Sequence, residues 1–155
     1  MIDGRSGSGK TTLAAELQSL WEASIVVHLD DMYPGWDGMR AATDHIHDAL
    51  LVPRGVHRAG RWQRWDWLRS APAEWHVVDP DRRLIIEGSG ALTAPNRALA
   101  DLGIWIDCDD VTRKRRALDR DGETFAVQWD RWAAQELDHL ARHDPRSVAD
   151  VVLQG

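Results

Sequence analysis

Cysteine is almost absent from this sequence. Among 155 residues there is one, Cys108, and it lies in the acidic stretch from Asp107 to Asp110. A single thiol cannot form an internal disulfide, and neighbouring carboxylates disfavour the thiolate. His45 and His47 are two residues apart, and no cysteine or acidic cluster completes a metal site around them. We therefore expect neither a disulfide scaffold nor a zinc site.

Long hydrophobic runs and low-complexity segments are also absent. No window of about 18 residues is continuously apolar, which excludes a membrane-spanning helix of ordinary length. The first residues lack the basic region followed by an apolar one that marks a secretory signal. Because no repeat or linker is visible, we expect one domain over residues 1–155. Because neither a secretory signal nor a disulfide scaffold is visible, we expect the protein in the cytoplasm.

Positive charge is in deficit. The chain has 19 Lys and Arg against 25 Asp and Glu, a formal net charge of −6. General nucleic-acid binding requires a broad basic surface and is not expected. The basic residues are nevertheless clustered, in residues 54–69 and 113–120, so a locally positive cleft is compatible with the negative net charge. Nine Trp accompany one Phe and one Tyr, and we assign most of the nine to the core.

The strongest motif lies in the first dozen residues. Gly4, Gly9, Lys10 and Thr11 fit the G-x-x-x-x-G-K-[ST] pattern of a phosphate-binding loop that precedes an amphipathic helix. Glycines let successive N–H groups point at phosphate oxygens, Lys10 supplies a positive charge for the β- and γ-phosphates, and Thr11 offers a hydroxyl to Mg²⁺. We therefore predict that a nucleotide is bound by Gly4, Arg5, Ser6, Gly7, Ser8, Gly9, Lys10, Thr11 and Thr12.

Short apolar strands alternate with amphipathic helices along the chain. After the loop, the pattern predicts strands at 25–29, 83–88, 104–107 and 149–153, and helices at 10–22, 44–51, 93–101, 109–120 and 124–143. Together with the phosphate-binding loop, this alternation predicts an α/β fold of the P-loop type, a three-layer sandwich with a mostly parallel sheet of about five strands. Only Met1 to Asp3 precede the loop, so we expect either a start upstream or a truncated first strand.

Carboxylates follow two of the predicted strands, at the edge where open α/β sheets bind ligands. Asp30 and Asp31 follow the second strand, and Glu87 closes the third. A carboxylate at this edge can accept a proton from an attacking hydroxyl or bind Mg²⁺ directly or through water. Asp is also common in turns, and Pro34 follows closely. We expect a functional role for at least one of the two aspartates, with the choice between them open.

Basic and aromatic residues alternate between His57 and Trp75. Trp can stack on a base, and Arg can pair with phosphate or carboxylate. The same composition also suits a surface segment that packs Trp62 and Trp65 against the core. Both interpretations stay open. The basic stretch 113–116 of a later helix is, taken alone, typical of a solvated helix face.

In this order, the stretches resemble the uridine kinase family, P-loop kinases that transfer phosphate from ATP to a nucleoside hydroxyl. Besides the loop, residues 30–33 are similar to the family's Asp-x-x-Tyr and residues 44–50 to its Asp-His-Pro-Asp-Ala segment. Residues 65–67 resemble its Tyr-Asp-Phe, and residues 84–88 its strand ending in Glu-Gly. The arginines of the predicted helix 109–120 fall at the spacing of the family's lid helix.

The resemblance implies a role for each matching residue. Asp30 would act as the base and, with Thr11 and Glu87, arrange Mg²⁺. The arginines Arg116 and Arg120 would join Lys10 at the transferring phosphate. The substrate contacts that the resemblance implies are Tyr33, Asp44, Trp65, Trp67 and Arg113.

Three departures from the family pattern bear on the substrate. An insertion follows His45 before the position of the family's proline, Ser70 stands near the histidine of uridine and cytidine kinases, and the lid after Arg120 is short. We predict an ATP- and Mg²⁺-dependent kinase that phosphorylates a hydroxyl of a small molecule, in particular a nucleoside. The alternatives are a regulatory P-loop NTPase and a nucleotide-binding protein without kinase turnover.

Overall fold

The computed structural model describes all residues, 1–155, and its centre is a five-stranded parallel sheet. The strands are β1 (Ile2–Gly4), β2 (Ile25–His28), β3 (Gly60–Asp66), β4 (Ala71–Val78), β5 (Leu84–Glu87), β6 (Ile104–Asp107) and β7 (Val151–Gln154). In space the main sheet has the order β2-β5-β1-β6-β7, and every pairing in it is parallel. The predicted α/β fold with about five mostly parallel strands is confirmed.

Seven α-helices surround the sheet. They are α1 (Lys10–Leu20), α2 (Met39–His45), α3 (Val52–Gly55), α4 (Ala94–Arg97), α5 (Asp110–Ala126), α6 (Trp129–His143) and α7 (Pro145–Val148). A 3₁₀ turn covers Leu29–Asp31, and a π-helical segment covers Ile46–Leu51. None of the helices combines the length and the apolar character needed to cross a membrane.

Strand β1 lies in the middle of the sheet although it has only three residues. It pairs with β6 at all three positions and with β5 through Ile2 opposite Glu87. The buried carboxylate of Asp3 adds further anchorage, because it accepts the N–H groups of Gly90 at 3.0 Å and Leu92 at 2.8 Å. The strand that leads into the loop is therefore held by side-chain as well as backbone bonds.

The core has one part on each face of the main sheet. Because side chains alternate along a strand, Ile85 faces the smaller cluster, in which α1 packs on β1, β2 and β5, and Ile86 faces the larger one. The larger cluster contains 17 buried residues, among them Trp132 of α6 and Trp62 of β3. Burial of apolar residues on both faces leaves the carboxyl ends of the strands as the open edge of the sheet.

The basic and aromatic stretch forms a feature that the sequence did not predict, an antiparallel hairpin of β3 and β4. Trp62 packs into the core and stacks on His76 with ring centroids 4.2 Å apart. The packing interpretation thus applies to Trp62. At the turn, Ser70 takes a positive φ of 49°, and the carboxylate of Asp66 accepts the Arg69 N–H. The period of two in this segment was the signal for strands.

Several predicted helix boundaries were wrong. The helix expected at 44–51 begins earlier, at Met39, and helical structure continues through the π-helical segment to Gly55. Pro53 does not end it, because it lies in the first turn of α3, where its missing N–H costs no bond within that helix. Residues 124–126 belong to α5, which kinks at Gly122 (φ 64°, ψ −153°), and α6 begins at Trp129.

Candidate active site

The predicted phosphate-binding loop joins β1 to α1. Gly7 and Gly9 take positive φ angles of 82° and 101°, which glycine adopts without strain. Helix α1 begins directly after Gly9 without a side-chain cap. Since the first amides of a helix have no acceptor inside it, the N–H groups at Lys10, Thr11 and Thr12 are available to an anion.

Two glycines of the loop are required by close contacts inside the protein. A Cβ on Gly4 would lie 2.6 Å from Ser8 Oγ and 2.7 Å from the carbonyl O of Ile106. A Cβ on Gly7 would lie 2.0 Å from the carbonyl O of Arg113 in α5. The sequence suggested only that glycine leaves room for phosphate. At Gly7 the structure adds a second reason, because the loop packs against the backbone of α5.

Lys10 is buried behind the loop. Its Nζ donates to the carbonyl O of Arg5 at 3.2 Å and to Ser89 Oγ at 3.3 Å. Ser89 follows β5, and its own hydroxyl donates to the carbonyl O of Gly4. The ammonium group therefore lies between the loop and the carboxyl end of β5, where its charge acts on the neighbouring carboxylates Asp30 and Glu87.

Glu87, predicted at a strand end, is almost fully buried and has two side-chain partners. Thr11 donates its hydroxyl to Glu87 Oε1 at 3.1 Å, and His28 Nδ1 lies 2.5 Å from the same oxygen. Burial by itself raises the pKa of Glu87, but the bond to His28 and the charge of Lys10 outweigh it and leave the pKa below its ordinary value. The same bond raises the pKa of His28. Thr11 and Glu87 are thus brought together as predicted.

Asp30 and Asp31 follow β2 in the 3₁₀ turn and both lie at the open edge of the sheet. The Asp30 side chain is exposed at the cavity, but protein lies close to it on other sides, and this partial desolvation raises its pKa. The positive charges of Lys10 and Arg120 act in the opposite direction and lower the pKa of Asp30. The indole N–H of Trp67 donates to the carbonyl O of Asp30 at 3.0 Å, which fixes this turn to the hairpin.

One cavity of about 480 Å³ joins these groups. It lies between the loop, the ends of β2 and β5, the hairpin turn and the helices α5 and α6. Polar groups from the loop and strand ends occupy one end, and aromatic rings occupy the other. The lining residues are Ser6, Thr11, His28, Asp30, Asp31, Tyr33, Trp36, Trp67, Glu87, Arg120, Asp121, Thr124, Phe125 and Trp132.

The aromatic end of the cavity is a packed group of rings. Trp36 stacks on Phe125 with centroids 5.6 Å apart and an interplanar angle of 17°, and it contacts Trp67 at 5.0 Å. Tyr33 meets Trp132 edge to face at 4.6 Å, and its buried hydroxyl donates to the carbonyl O of Ser89. Because these rings hold one another in place, the wall is shaped before any ligand arrives.

Several predicted site residues lie outside this cavity. Asp44 is exposed and pairs with Arg40 at 3.8 Å, on the other side of α2. Trp65 lies in β3, half-buried beside Met32 and Pro72, whereas Trp67 follows the end of β3 at Asp66 and lines the cavity from the hairpin turn.

Other charged residues of the prediction also have different surroundings. Arg113 is buried and bonds Asp110 and Glu136, so it is not a solvated residue and does not reach the cavity. Arg116 is exposed and lies 3.7 Å from Cys108 Sγ, whereas Arg120 does line the cavity. Within the loop, the Arg5 side chain also bonds Asp110 and Glu136 instead of facing the phosphate site.

Sequence analysis missed residues at both the polar and the aromatic end of the cavity. His28 could have been found, since it is the last residue of β2 and the rule that named Asp30 and Glu87 applies to it as well. No local signal identified the remaining ones, because they come from separate segments that meet only in the folded protein. They are Trp36, Thr124, Phe125 and Trp132.

The donor set fits a hard cation that completes its coordination with phosphate. No group of three or more His, Cys, Asp or Glu side chains forms a ready-made metal site. Mg²⁺ typically uses one or two protein carboxylates together with waters and substrate phosphates. Thr11, Glu87 and Asp30 offer hydroxyl and carboxylate oxygens at one end of the cavity, beside the start of α1.

Comparison with known proteins gives one relative and two structures of interest. No family model matches the chain. A uridine kinase of Latilactobacillus sakei subsp. sakei (strain 23K) is 30% identical over 152 residues, covering 88% of this chain and 72% of that protein.

Two solved structures have similar folds. A possible uridine kinase from Bacillus stearothermophilus aligns with a TM-score of 0.68 and 23% identity over 98% of this chain and 85% of its own. A candidate fructose transport system kinase from Silicibacter sp. TM1040 aligns with a TM-score of 0.57 and 20% identity over 97% of this chain and 86% of its own. Identities this low show the fold alone, while the sequence relative shows the family. The chain belongs to the uridine kinase family of P-loop kinases.

Proposed function

We propose that this kinase transfers the γ-phosphoryl group of ATP to a hydroxyl of a small molecule, in particular a nucleoside, with Mg²⁺ as cofactor. The observation that carries the proposal is the single cavity that joins the start of α1 and four acidic residues to a wall of aromatic rings. Phosphoryl transfer depends on positioning and charge compensation more than on covalent chemistry by the protein. The cavity has a region suited to each reactant.

At the polar end, the loop amides and Lys10 would hold the β- and γ-phosphates. Thr11, Glu87 and Asp30 would hold Mg²⁺, which when bound neutralises charge on the phosphate oxygens. Asp30 would also accept the proton of the attacking hydroxyl, and its raised pKa suits a proton acceptor. Arg120, which lines the cavity, would compensate charge on the transferring group.

At the aromatic end, Tyr33, Trp36, Trp67 and Trp132 would contain the acceptor, with one ring face of the acceptor against an indole. Asp44 is not part of this proposal, because it lies on the far side of α2. The net charge of −6 favours a small acceptor over a nucleic acid.

The test is ATP consumption with Mg²⁺ across a panel of nucleosides and sugars, comparing wild type with Lys10→Ala and Asp30→Asn. One acceptor should stimulate turnover, and each substitution should lower it by about 100-fold or more. Asp44→Asn is the matched control, since it removes an exposed carboxylate outside the cavity, and it should stay within about twofold. ATP hydrolysis that no acceptor stimulates, or that a protein stimulates, would favour a regulatory NTPase. ATP binding without turnover would favour a nucleotide-binding protein without kinase activity.

A further inference from the structure

The loop and helix α5 share a buried carboxylate, Glu136 of α6. Its Oε1 accepts the backbone N–H of Ser6 at 2.6 Å. Its Oε2 accepts Arg5 Nε at 3.0 Å and Arg113 Nη1 at 3.2 Å. Glu136 is only 2% exposed. A carboxylate this deeply buried persists only when donors satisfy both oxygens, so the three bonds hold the loop, α5 and α6 in one arrangement.

Arg113 completes the connection on the side of α5. Arg113 is only 3% exposed. Its guanidinium bonds Asp110 Oδ1 at 2.7 Å as well as Glu136, and lies 5.0 Å from the ring centroid of Trp129. Its carbonyl O is the atom that leaves no room for a Cβ on Gly7. The first turn of α5 is therefore fixed to the loop by both side-chain bonds and backbone contact.

The same helix carries Arg120 into the cavity. Arg120 lies seven residues after Arg113, about 10 Å along the axis, and the helix between them is regular until the kink at Gly122. A Cβ on Gly122 would meet nothing within 4 Å, so the backbone at the kink is open, while Phe125 beyond it is packed in the aromatic wall. Between the two arginines Ala117 is buried in the core, so the first turn of α5 and this packing together set the place of Arg120 in the cavity.

We propose that Glu136 is a positioning residue that couples the phosphate-binding loop to Arg120 through Ser6 and Arg113. The proposal rests on the proposed function, because it gives Arg120 a role in phosphoryl transfer. Loss of the charge on Glu136 loosens the first turn of α5 and lets Arg120 leave its place, while the acceptor wall stays intact. A displacement of about 1 Å at a reacting group can lower the rate by about 100-fold.

The main test is Glu136→Gln, measured with the acceptor identified in the panel. The kcat should fall about 10- to 100-fold, with the KM of the acceptor within about twofold of wild type. The double variant Glu136→Gln/Arg120→Ala should have the kcat of Arg120→Ala alone, because residues that act through each other are not additive. The proposal would be overturned if the two substitutions lowered kcat by factors that multiply in the double variant, or if kcat were unchanged in Glu136→Gln.

Asp150→Asn is the matched structural control. Asp150 likewise accepts an arginine, Arg97 Nη2 at 2.7 Å, and a backbone N–H, that of Gly103 at 2.6 Å, but it lies outside the cavity. It should lose stability without loss of kcat. If Glu136→Gln does not fold, the neutral pair Glu136→Gln/Arg113→Gln removes both buried charges together and should show the same kcat loss.

Hydrogen exchange separates failure of this inference from failure of the proposed function. Without any substrate, Glu136→Gln should speed the exchange of peptides that cover residues 1–12 and 110–116, whereas Asp150→Asn should not. Unchanged exchange in both peptides would overturn the coupling whether or not wild type is a kinase. Faster exchange together with an inactive wild type would leave the coupling in place and refute the kinase activity.

Discussion

The imidazole Nδ1 of His28 lies 2.5 Å from Oε1 of Glu87, at the ends of two adjacent parallel strands. The pairing raises the pKa of His28 and helps to hold the pKa of Glu87 below its ordinary value. Glu87 is nearly inaccessible, while the His28 side chain is 38% exposed on the cavity side. A charged carboxylate is therefore kept at the centre of the site before any cation or nucleotide is present.

His28→Gln should make the stability of the protein less dependent on pH. The pKa of His28 is higher in the folded chain than the unfolded value of about 6.5. Its stabilising contribution is therefore complete below that unfolded value and is lost as pH rises through the folded pKa. In thermal unfolding with EDTA and without nucleotide, the Tm of wild type should exceed that of His28→Gln by a few degrees at pH 6 and by less at pH 9. For a chain of this size, Tm changes by about 2–4 °C per kcal/mol.

Solvent screening at a partly exposed histidine limits the size of this effect. Glu87→Gln serves as the reciprocal control, because it removes the partner of the imidazole. When His28→Gln is introduced into the Glu87→Gln protein, the resulting change in Tm should therefore no longer depend on pH. A constant difference in Tm between wild type and His28→Gln across the pH range would contradict the assignment of the effect to this pair.

Asp30→Asn should stabilise the protein without ligand while it abolishes turnover. Burial raises the pKa of Asp30, so the folded state binds more protons than the unfolded state between the unfolded value, about 3.9, and the folded one. The cost of the charged carboxylate is therefore absent at low pH and complete above the folded pKa. Since Asp30 is exposed at the cavity, solvent screening limits the gain to a few degrees in Tm.

Differential scanning calorimetry at pH 4 and pH 8 checks this prediction. The Tm of Asp30→Asn should exceed that of wild type at pH 8, and the two should converge at pH 4. Asp44→Asn, which changes an exposed carboxylate, should follow wild type at both values. A lower Tm for Asp30→Asn at pH 8 would show that the electrostatic attraction between Asp30 and Lys10 outweighs the cost of desolvation.

Gly7→Ala should destabilise the protein more than Gly9→Ala. Both glycines have positive φ, so alanine is strained at either position by roughly 1–2 kcal/mol. Only at Gly7 would the new Cβ also meet backbone, 2.0 Å from the carbonyl O of Arg113, whereas at Gly9 nothing lies within 4 Å. Overpacking of this kind typically costs about 1–3 kcal/mol more. Urea unfolding measures the difference, and equal losses would show that α5 does not rest on the loop.

Sequence patterns predicted the parts of the site that depend on local chain order. Asp30 and Glu87 were found because parallel strands end at one edge, and Thr11 because the loop motif fixes its place at the start of α1. A motif resemblance gave the order of the segments but not the direction of their side chains. For this reason Asp44 and Trp65, which were expected to contact the substrate, lie outside the cavity that holds the other predicted residues.

The aromatic wall could not be predicted in the same way. Trp36 and Phe125 stack on each other although 89 positions separate them in the chain, and Trp132 comes from yet another helix. A contact between rings so far apart in the chain produces no periodic pattern within a single segment. The kink at Gly122, which turns Phe125 toward the cavity, was likewise visible only as a single glycine in a predicted loop.

Trp67 has two separable roles, as a ring in the cavity wall and as the N–H donor to the carbonyl O of Asp30. Trp67→Phe keeps a ring and loses the hydrogen bond, which is worth about 1 kcal/mol, so kcat should fall about fivefold with little change in the KM of the acceptor. Trp67→Ala loses both, and the KM should rise as well. Trp75→Phe is the control, because that indole lies on the same hairpin away from the cavity. If Trp67→Phe and Trp67→Ala change kcat and KM alike, the bond to Asp30 does not position the base, and the ring alone accounts for the role of Trp67.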